Sequence, residues 1–145
     1  MNSSAPKNNS KKRLEIGVAC IFRAGKVLIQ TRPAGKSFAG KWEFPGGKIE
    51  NGERARDCVA REIKEELGAK IKVKNMFFKD THYFDNTILV LLFYRCFPLN
   101  NQEEFKPQEN QQIKWVGTEN FAEIDFLPTN YRILKKLREL PELNP

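Results

Sequence analysis

The stretch GKIENGERARDCVAREIKEELGA, from Gly47 to Ala69, joins a glycine-containing turn to an acidic segment with a helical repeat. Its larger apolar residues recur at every fourth position, which predicts an amphipathic helix over Glu53–Leu67 with one face towards a core. Gly68 follows, and glycine is the residue that most often ends a helix. The apolar stripe consists of Val59, Ile63 and Leu67.

The opposite face of this helix carries three glutamates, Glu62, Glu65 and Glu66. Carboxylates three and four residues apart lie side by side on a helix and repel each other by about 0.2–0.5 kcal/mol per pair. In one explanation, the positive charges of Arg61 and Lys64 offset that repulsion, and the three glutamates simply form a solvated face of the helix. A hard divalent cation such as Mg²⁺ or Mn²⁺ would offset it more fully, because it prefers oxygen ligands. The helix alone leaves both explanations open.

The turn before the helix reads Phe44-Pro45-Gly46-Gly47, and its glycines let a backbone approach a metal or a phosphate closely. Turn and helix together resemble the Nudix box of a hydrolase family, Gly-x5-Glu-x7-Arg-Glu-U-x-Glu-Glu-x-Gly-U, where U is a bulky aliphatic residue. Ala69, at the last U position, is smaller than the usual residue. The fixed positions of the box all match, at Gly47, Glu53, Arg61, Glu62, Glu65, Glu66 and Gly68.

The resemblance implies a Mg²⁺ site, with Mn²⁺ as a substitute, and hydrolysis of a diphosphate bond. Its implied metal ligands are Gly46, through its carbonyl, and Glu62, Glu65, Glu66 and Glu109. The same glutamates form the predicted catalytic set. A carboxylate must also take a proton from the attacking water, and this role is left open between Glu62 and Glu109. Glu109 lies in a polar loop that also contains Glu103 and Glu104.

Three further residues of the box are expected to support the site. Arg61 would orient the glutamates through salt bridges. Glu53, placed in the first helical turn and away from the three ligands, would stabilise the loop and the N-terminus of the helix. Gly47 would permit the close approach of the turn.

Outside the box, the chain resembles the MutT-like branch of the family over residues 41–50, over 125–130 and in the opening hairpin. The branch implies that Arg32 faces the nucleotide phosphates and that Asn130 hydrogen-bonds the edge of guanine. Phe44 is a further candidate for substrate binding, as a pocket wall on which a base would stack. Simpler interpretations remain for all three residues. Asn130 also suits a helix N-cap, Phe44 also suits a core position, and Arg32, next to Pro33, also suits the exposed end of a strand.

The substrate implied by this branch is (8-oxo-)dGTP, cleaved to the monophosphate and pyrophosphate in nucleotide-pool sanitation and DNA repair. The segment Thr81–Thr87 departs from the branch, because the arginine expected near the base is absent. Three other kinds of substrate therefore stay open. They are CTP or a modified CTP, a dinucleoside polyphosphate, which Tyr83 favours, and a 5′-triphosphate RNA. A nucleotide sensor without catalysis is the alternative of another class, and the three intact glutamates argue against it.

The rest of the chain alternates strands with helices, which predicts a mixed β-sheet sandwiched between α-helices, the α/β/α Nudix fold. A second amphipathic helix is predicted over Leu127–Leu140. The predicted strands are Leu14–Phe22, Lys26–Thr31, Lys41–Phe44, Ile71–Phe78, Thr87–Phe97 and Ile113–Val116.

The length of 145 residues, with 40% apolar and 30% charged residues, suits one globular domain. We expect a disordered basic tail over residues 1–12, a Nudix domain over 13–141 and a short C-terminal tail over 142–145. The net charge is +7, and four of its charges come from Lys7, Lys11, Lys12 and Arg13. Short basic runs of this kind are usually solvated, which argues against a nucleic-acid partner.

The sequence also predicts a compartment and partners. Its apolar runs are too short to cross a membrane, and its start lacks a secretory signal, so we expect a cytoplasmic protein. The expected partner is the nucleotide substrate, bound by a monomer or a small homo-oligomer. The odd number of cysteines predicts buried, reduced thiols at Cys20, Cys58 and Cys96.

Overall fold

A computed structural model describes residues 11–145. Its strands are β1 (Lys12–Arg23), β2 (Lys26–Thr31), β3 (Trp42–Glu43), β4 (Gly46–Lys48), β5 (Ile71–Tyr83), β6 (Thr87–Pro98) and β7 (Ile113–Val116). Its α-helices are α1 (Ala55–Leu67) and α2 (Arg132–Leu137), and 3-10 turns cover Thr118–Glu123, Pro128–Asn130 and Pro141–Leu143.

The strands form one seven-stranded mixed sheet. Five of them follow the order β3-β2-β1-β6-β5, while β4 pairs with β1 and β7 pairs with β2. β1 pairs in parallel with β6, and the other pairs are antiparallel. The second edge of β1 is shared, because β4 pairs with it at Ile16–Val18 and β2 pairs with it at its C-terminal end. This sharing places Gly46 and Gly47 against the middle of the central strand.

Side chains of β1 alternate between two cores, one on each face of the sheet. Val18 and Cys20 face the core that receives α2, whereas Ala19 and Ile21 face the core that receives α1. A fully buried aliphatic side chain contributes about 1.5–3 kcal/mol, so both helices are held mainly by their apolar faces. The predicted α/β/α arrangement is confirmed. The helix residues buried in these cores are Val59, Ile63 and Leu67 of α1 and Ile133, Leu134 and Leu137 of α2.

Helix α1 begins two residues later than predicted. Arg54 is extended and precedes the helix, and Glu53 lies in a turn in which its N–H donates to the Glu50 carbonyl at 3.0 Å. The prediction that Glu53 belongs to the first helical turn is therefore wrong. The predicted end is confirmed: Gly68 adopts a left-handed conformation with φ 63°, and its N–H donates to the Lys64 carbonyl.

The predicted helix over Leu127–Leu140 is also wrong, since α2 covers only Arg132–Leu137. A 3-10 turn over Pro128–Asn130 precedes it, because the side chain of Asn130 bonds to distant backbone. The apolar residues expected on the inward face of this segment, Ile133, Leu134, Leu137 and Leu140, are nevertheless buried. Strand β5 is longer than predicted and continues past Phe78 to Tyr83, with register irregularities between Val73 and Phe78.

The two chain ends differ from the predicted tails where the structure describes them. The predicted tail over residues 1–12 falls mostly outside the described residues, and Lys12 already begins β1. At the other end, the segment predicted as a short tail packs against the domain: Leu143 is buried and Glu142 pairs with Arg95. The three cysteines are free and buried. Over residues 11–145, no helix combines the length and the apolar character needed to span a membrane.

Candidate active site

A cleft of about 740 Å³ lies between the end of α1, the middle of β1 and the turn before α2. This volume falls within the range of small-molecule sites. Apolar side chains of β1 and β6 form one part of its wall, and carboxylates of α1 form another. The predicted site residues that line it are Arg32, Phe44, Gly46, Gly47, Glu62, Glu65, Glu66, Glu109 and Asn130.

The two glycines of β4 let the turn approach both β1 and α1. A Cβ at Gly46 would collide with the backbone of Gly17 and Val18, and a Cβ at Gly47 would collide with the carboxylate of Glu62. The carboxylate of Glu62 therefore occupies the space that any other residue at position 47 would fill. This cradle explains in physical terms why glycine is needed at both positions.

Arg61 connects the loop before α1 to the glutamates of α1. Its Nε and Nη2 donate to the two carboxylate oxygens of Glu53 at 2.7 and 3.0 Å, and its Nη1 donates to Glu62 at 2.9 Å and to Glu65 at 3.3 Å. The hydrogen bonds from Arg61, followed by one from the Glu50 N–H, lower the pKa of Glu53 to about 2. The predicted orienting role of Arg61 and loop-stabilising role of Glu53 stay predictions, and these contacts support them.

Glu66 lies deeper in the cleft than the other two glutamates of α1. Its Oε1 accepts a hydrogen bond of 2.8 Å from Gln30, which also donates to Glu43 at 3.2 Å. Burial raises the pKa of Glu66 well above its ordinary value, and the neighbouring Glu62 and Glu43 raise it further. Burial likewise raises the pKa of Glu43, against the lowering effect of Arg32. Both carboxylates would therefore need nearby positive charge to stay ionised in the cleft.

The donor set fits a hard divalent cation. Within residues 11–145, no group of three or more acidic, histidine or cysteine side chains is close enough together to form a metal site. Glu65 extends towards solvent, with 57% of its side chain exposed. Yet the cleft offers only oxygen ligands, and a cation beside Glu62 and Glu66 would supply the missing positive charge. The assignments of Gly46 and of the glutamates as ligands stay predictions.

Glu109 reaches this site because its loop closes the C-terminal end of α1. The N–H groups of Lys106 and Gln108 donate to the carbonyls of Leu67 and Glu66 at 2.7 and 2.9 Å. The last carbonyls of a helix lack partners within the helix, so the loop satisfies them. Glu109 itself is exposed and lines the cleft, where it is free to meet a water molecule.

At the opposite end of the cleft, the side chain of Asn130 is 5% exposed, and its Oδ1 accepts a hydrogen bond of 3.0 Å from the Phe44 N–H. The N-cap interpretation is wrong, because Tyr131 is the cap residue of α2 and the cap has no side-chain hydrogen bond. The Phe44 ring is buried and stacks on Phe126 with centroids 5.6 Å apart. Phe44 thus belongs to the core and forms a wall of the cleft, and its contact with a base stays a prediction.

Arg32 lies at the mouth of the cleft. It donates to the carbonyl of Ser37 at 3.2 Å and to Glu43 at 3.4 Å, and 24% of its side chain is exposed. These contacts hold the guanidinium without fully burying it. Its predicted contact with phosphate oxygens stays a prediction, and the geometry allows it.

The sequence did not point to three polar residues of the site, Gln30, Glu43 and Gln111. Gln30 had a detectable signal, because it directly follows three apolar residues in the predicted strand Lys26–Thr31. Gln111 is buried and donates to the Glu66 carbonyl at 3.1 Å. It had no signal, because it lies in a loop that is polar throughout.

The sequence and the fold are similar to those of known proteins. The model of the NUDIX domain matches residues 11–137. The 8-oxo-dGTP diphosphatase of Escherichia coli K12 is 33% identical over 132 residues, covering 89% of this chain and 99% of its own length. The CTP pyrophosphohydrolase of the same strain is 29% identical over 134 residues, covering 92% and 98%.

Solved structures agree with these relatives. The Escherichia coli ORF135 protein is 30% identical with a TM-score of 0.74, covering 86% of this chain and 88% of its own. The MutT protein of methicillin-resistant Staphylococcus aureus 252 is 29% identical with a TM-score of 0.71, covering 88% and 97%. The chain therefore belongs to the Nudix hydrolases, a family that generally depends on divalent metals.

Proposed function

We propose that this protein uses Mg²⁺, or Mn²⁺ in its place, to hydrolyse the diphosphate linkage of nucleoside triphosphates, with (8-oxo-)dGTP as substrate and the monophosphate and pyrophosphate as products. The bound metal would neutralise phosphate oxygens and favour formation of hydroxide from water. Glu62, Glu65, Glu66 and the Gly46 carbonyl would hold it, with Glu109 at its edge. The 33% identical 8-oxo-dGTP diphosphatase supports this choice of substrate.

The observation that carries the base preference is the hydrogen bond between Asn130 and Phe44. Because the Phe44 N–H needs an acceptor, it fixes which end of the amide is oxygen, and Nδ2 is left as the donor. Its remaining contact is a long one of 3.5 Å to the Thr129 hydroxyl. A donor at this point suits the O6 acceptor of guanine and opposes the amino group that adenine carries in the same place.

The residues at the acidic end support a division of labour in the hydrolysis. Arg61 fixes Glu62, and the Gly47 cradle confines its carboxylate, which suits a ligand with one orientation. Glu109 is exposed at the cleft, so it is the better candidate to take the proton from the attacking water. Arg32 at the cleft mouth would bind the oxygens of the departing pyrophosphate.

One second substrate has its own support. The 29% identical relative is a CTP pyrophosphohydrolase, and the Asn130 donor also suits the ring carbonyl of cytosine. CTP would use the same metal, the same proton acceptor and the same bond cleavage. The two substrates therefore differ only at the base end of the cleft.

A panel of nucleotides with Mg²⁺ tests this proposal. We expect pyrophosphate rather than phosphate to be released, and kcat/KM to be highest for 8-oxo-dGTP and dGTP, lower for CTP and lowest for dATP. Activity should disappear with a chelator and return with Mg²⁺ or Mn²⁺. A preference for CTP over both guanine nucleotides would replace the first substrate by the second, and hydrolysis independent of divalent metal would refute the proposal.

A further inference from the structure

Two buried glutamines, Gln30 on β2 and Gln111 just before β7, lie behind the acidic end of the cleft and are 3% and 5% exposed. Burying an amide is costly unless its polar atoms are hydrogen-bonded. Both side chains are bonded, and their partners are groups of the site itself. The pair therefore serves the site as well as the core.

The bonds of Gln111 join the loop of Glu109 to helix α1. Its Oε1 accepts a hydrogen bond of 2.8 Å from the Glu109 N–H, and its Nε2 donates to the Glu66 carbonyl at 3.1 Å. The same Nε2 lies 3.4 Å from the Oε1 of Gln30. Since Gln30 donates to the carboxylate of Glu66, one continuous chain of hydrogen bonds runs from Glu109 to Glu66.

The backbone between Glu109 and Gln111 is shaped for this contact. Asn110 lies in the left-handed region with φ 62°, a conformation that asparagine tolerates better than most residues. The reversal brings the Gln111 side chain back to the N–H of Glu109. The loop is held on its other side by Gln108, whose N–H also donates to the Glu66 carbonyl.

We propose that Gln111, supported by Gln30, is a positioning residue for the hydrolysis. It fixes the loop so that the Glu109 carboxylate stands at one place relative to Glu66 and the other carboxylates of α1. Among residues 11–145, no hydrogen bond or salt bridge holds the exposed Glu109 side chain, so its placement depends on the N–H that Gln111 holds. This inference rests on the proposed function, because it assigns Glu109 a part in the reaction.

A residue that merely stabilised the end of α1 would behave differently from a positioning residue. Loss of stability alone would lower the unfolding temperature and leave kcat unchanged well below that temperature. A positioning residue acts through its partner, so its effect on kcat disappears once the partner is removed. A double-mutant cycle between Gln111 and Glu109 separates the two.

The experiment compares Gln111→Met, Glu109→Gln, the double variant and Gln112→Met in Mg²⁺-dependent release of pyrophosphate from dGTP. Methionine keeps the volume of glutamine and removes its polar atoms. We expect Gln111→Met to lower kcat by about 10–100-fold, the usual effect of removing a residue that orients a metal-site group. KM should change little. In the Glu109→Gln background the same substitution should leave kcat within about twofold.

Gln112→Met is the matched control, because Gln112 is the next residue of the loop and is exposed. It should keep wild-type kcat. If Gln111→Met does not fold, Gln111→Asn replaces it. Asparagine keeps the amide, but its side chain is one methylene too short to reach both Glu109 and Glu66. The loss of kcat should again disappear in the Glu109→Gln background.

Equal losses of kcat in the two backgrounds would overturn the inference and leave the proposed function standing. An unchanged kcat in Glu109→Gln would overturn the inference and remove Glu109 as the proposed proton acceptor, while the proposed metal-dependent hydrolysis would stand. Wild-type protein without metal-dependent release of pyrophosphate from any nucleotide would overturn the proposed function, and the inference with it.

Discussion

The backbone N–H of Phe44 donates to the side-chain oxygen of Asn130 at 3.0 Å, across 86 positions of the chain. Phe44 directly precedes the turn that forms the glycine cradle, and Asn130 ends the 3-10 turn before α2. This one bond therefore ties the end of the cleft that we propose for the base to the end that we propose for the metal. A nucleotide that spans the cleft would meet both ends at a fixed separation.

Asn130→Asp should weaken guanine binding without disturbing this tie. Aspartate keeps an oxygen for the Phe44 N–H but replaces the amide donor by a second acceptor, which guanine O6 repels. Loss of one hydrogen bond of about 1–1.5 kcal/mol corresponds to a rise of roughly tenfold in KM. We expect that rise for dGTP and 8-oxo-dGTP and a smaller one for dATP, measured by steady-state kinetics. Equal rises for all nucleotides would show that Asn130 does not contact the base.

Alanine substitutions at the two glycines of β4 should have opposite effects on stability and activity. The three atoms nearest to a Cβ in Gly47→Ala all belong to the carboxylate of Glu62, the end of a flexible side chain, so we expect normal folding and a loss of at least about tenfold in kcat/KM. The Cβ of Gly46→Ala meets the backbone of Gly17 and Val18, which cannot move as cheaply, so we expect a loss of about 1–3 kcal/mol in stability. Thermal unfolding and activity assays on both variants check the pair, and full activity in Gly47→Ala would argue against Glu62 as a ligand.

The sequence predicts those features that local patterns determine. The apolar stripe of α1 and the stop at Gly68 follow from spacing and residue type, and both agree with the structure.

Contacts between distant segments explain the errors. A helix that includes Pro128–Asn130 was predicted because the apolar residues after Asn130 recur with helical spacing. In the structure the Asn130 side chain bonds to Phe44, and the segment Pro128–Asn130 forms a 3-10 turn. The role of Gln111 could not be predicted for the same reason, because its partner Glu66 lies 45 positions away in the sequence. No local pattern records either bond.

Glu66→Gln should stabilise the protein when metal is absent. Burial and the neighbouring carboxylates raise the pKa of Glu66 to about 9, so at pH 7 the metal-free folded state must bind a proton that the unfolded state does not, and this costs stability. Replacing the ionisable group should raise Tm by about 2–6 °C in a chelating buffer, since one kcal/mol corresponds to roughly 2–4 °C at this size. Mg²⁺ should raise Tm of the wild type, which binds it, more than that of the variant.

Glu65→Gln is the control for that experiment, because the Glu65 side chain is 57% exposed. It should leave Tm in the chelating buffer nearly unchanged while it lowers Mg²⁺-dependent activity. A lower Tm for Glu66→Gln without metal would mean that Gln30 already satisfies the carboxylate, and the case for a cation beside Glu66 would fail.

Glu53→Gln should reduce stability in a manner that depends on pH. The hydrogen bonds from Arg61 lower the pKa of Glu53 from 4.5 to about 2. A carboxyl group with a lowered pKa stabilises the folded state fully above its unfolded pKa, and that contribution is lost as pH falls through the folded value. The wild type should therefore have the higher Tm at pH 7, and the difference should shrink between about pH 4.5 and pH 2. Glu50→Gln, whose side chain is exposed and lies 4.0 Å from Arg61, should show little difference at any pH. A difference between wild type and Glu53→Gln that stays constant across this range would show that the Glu53 contact depends on shape and not on its charge.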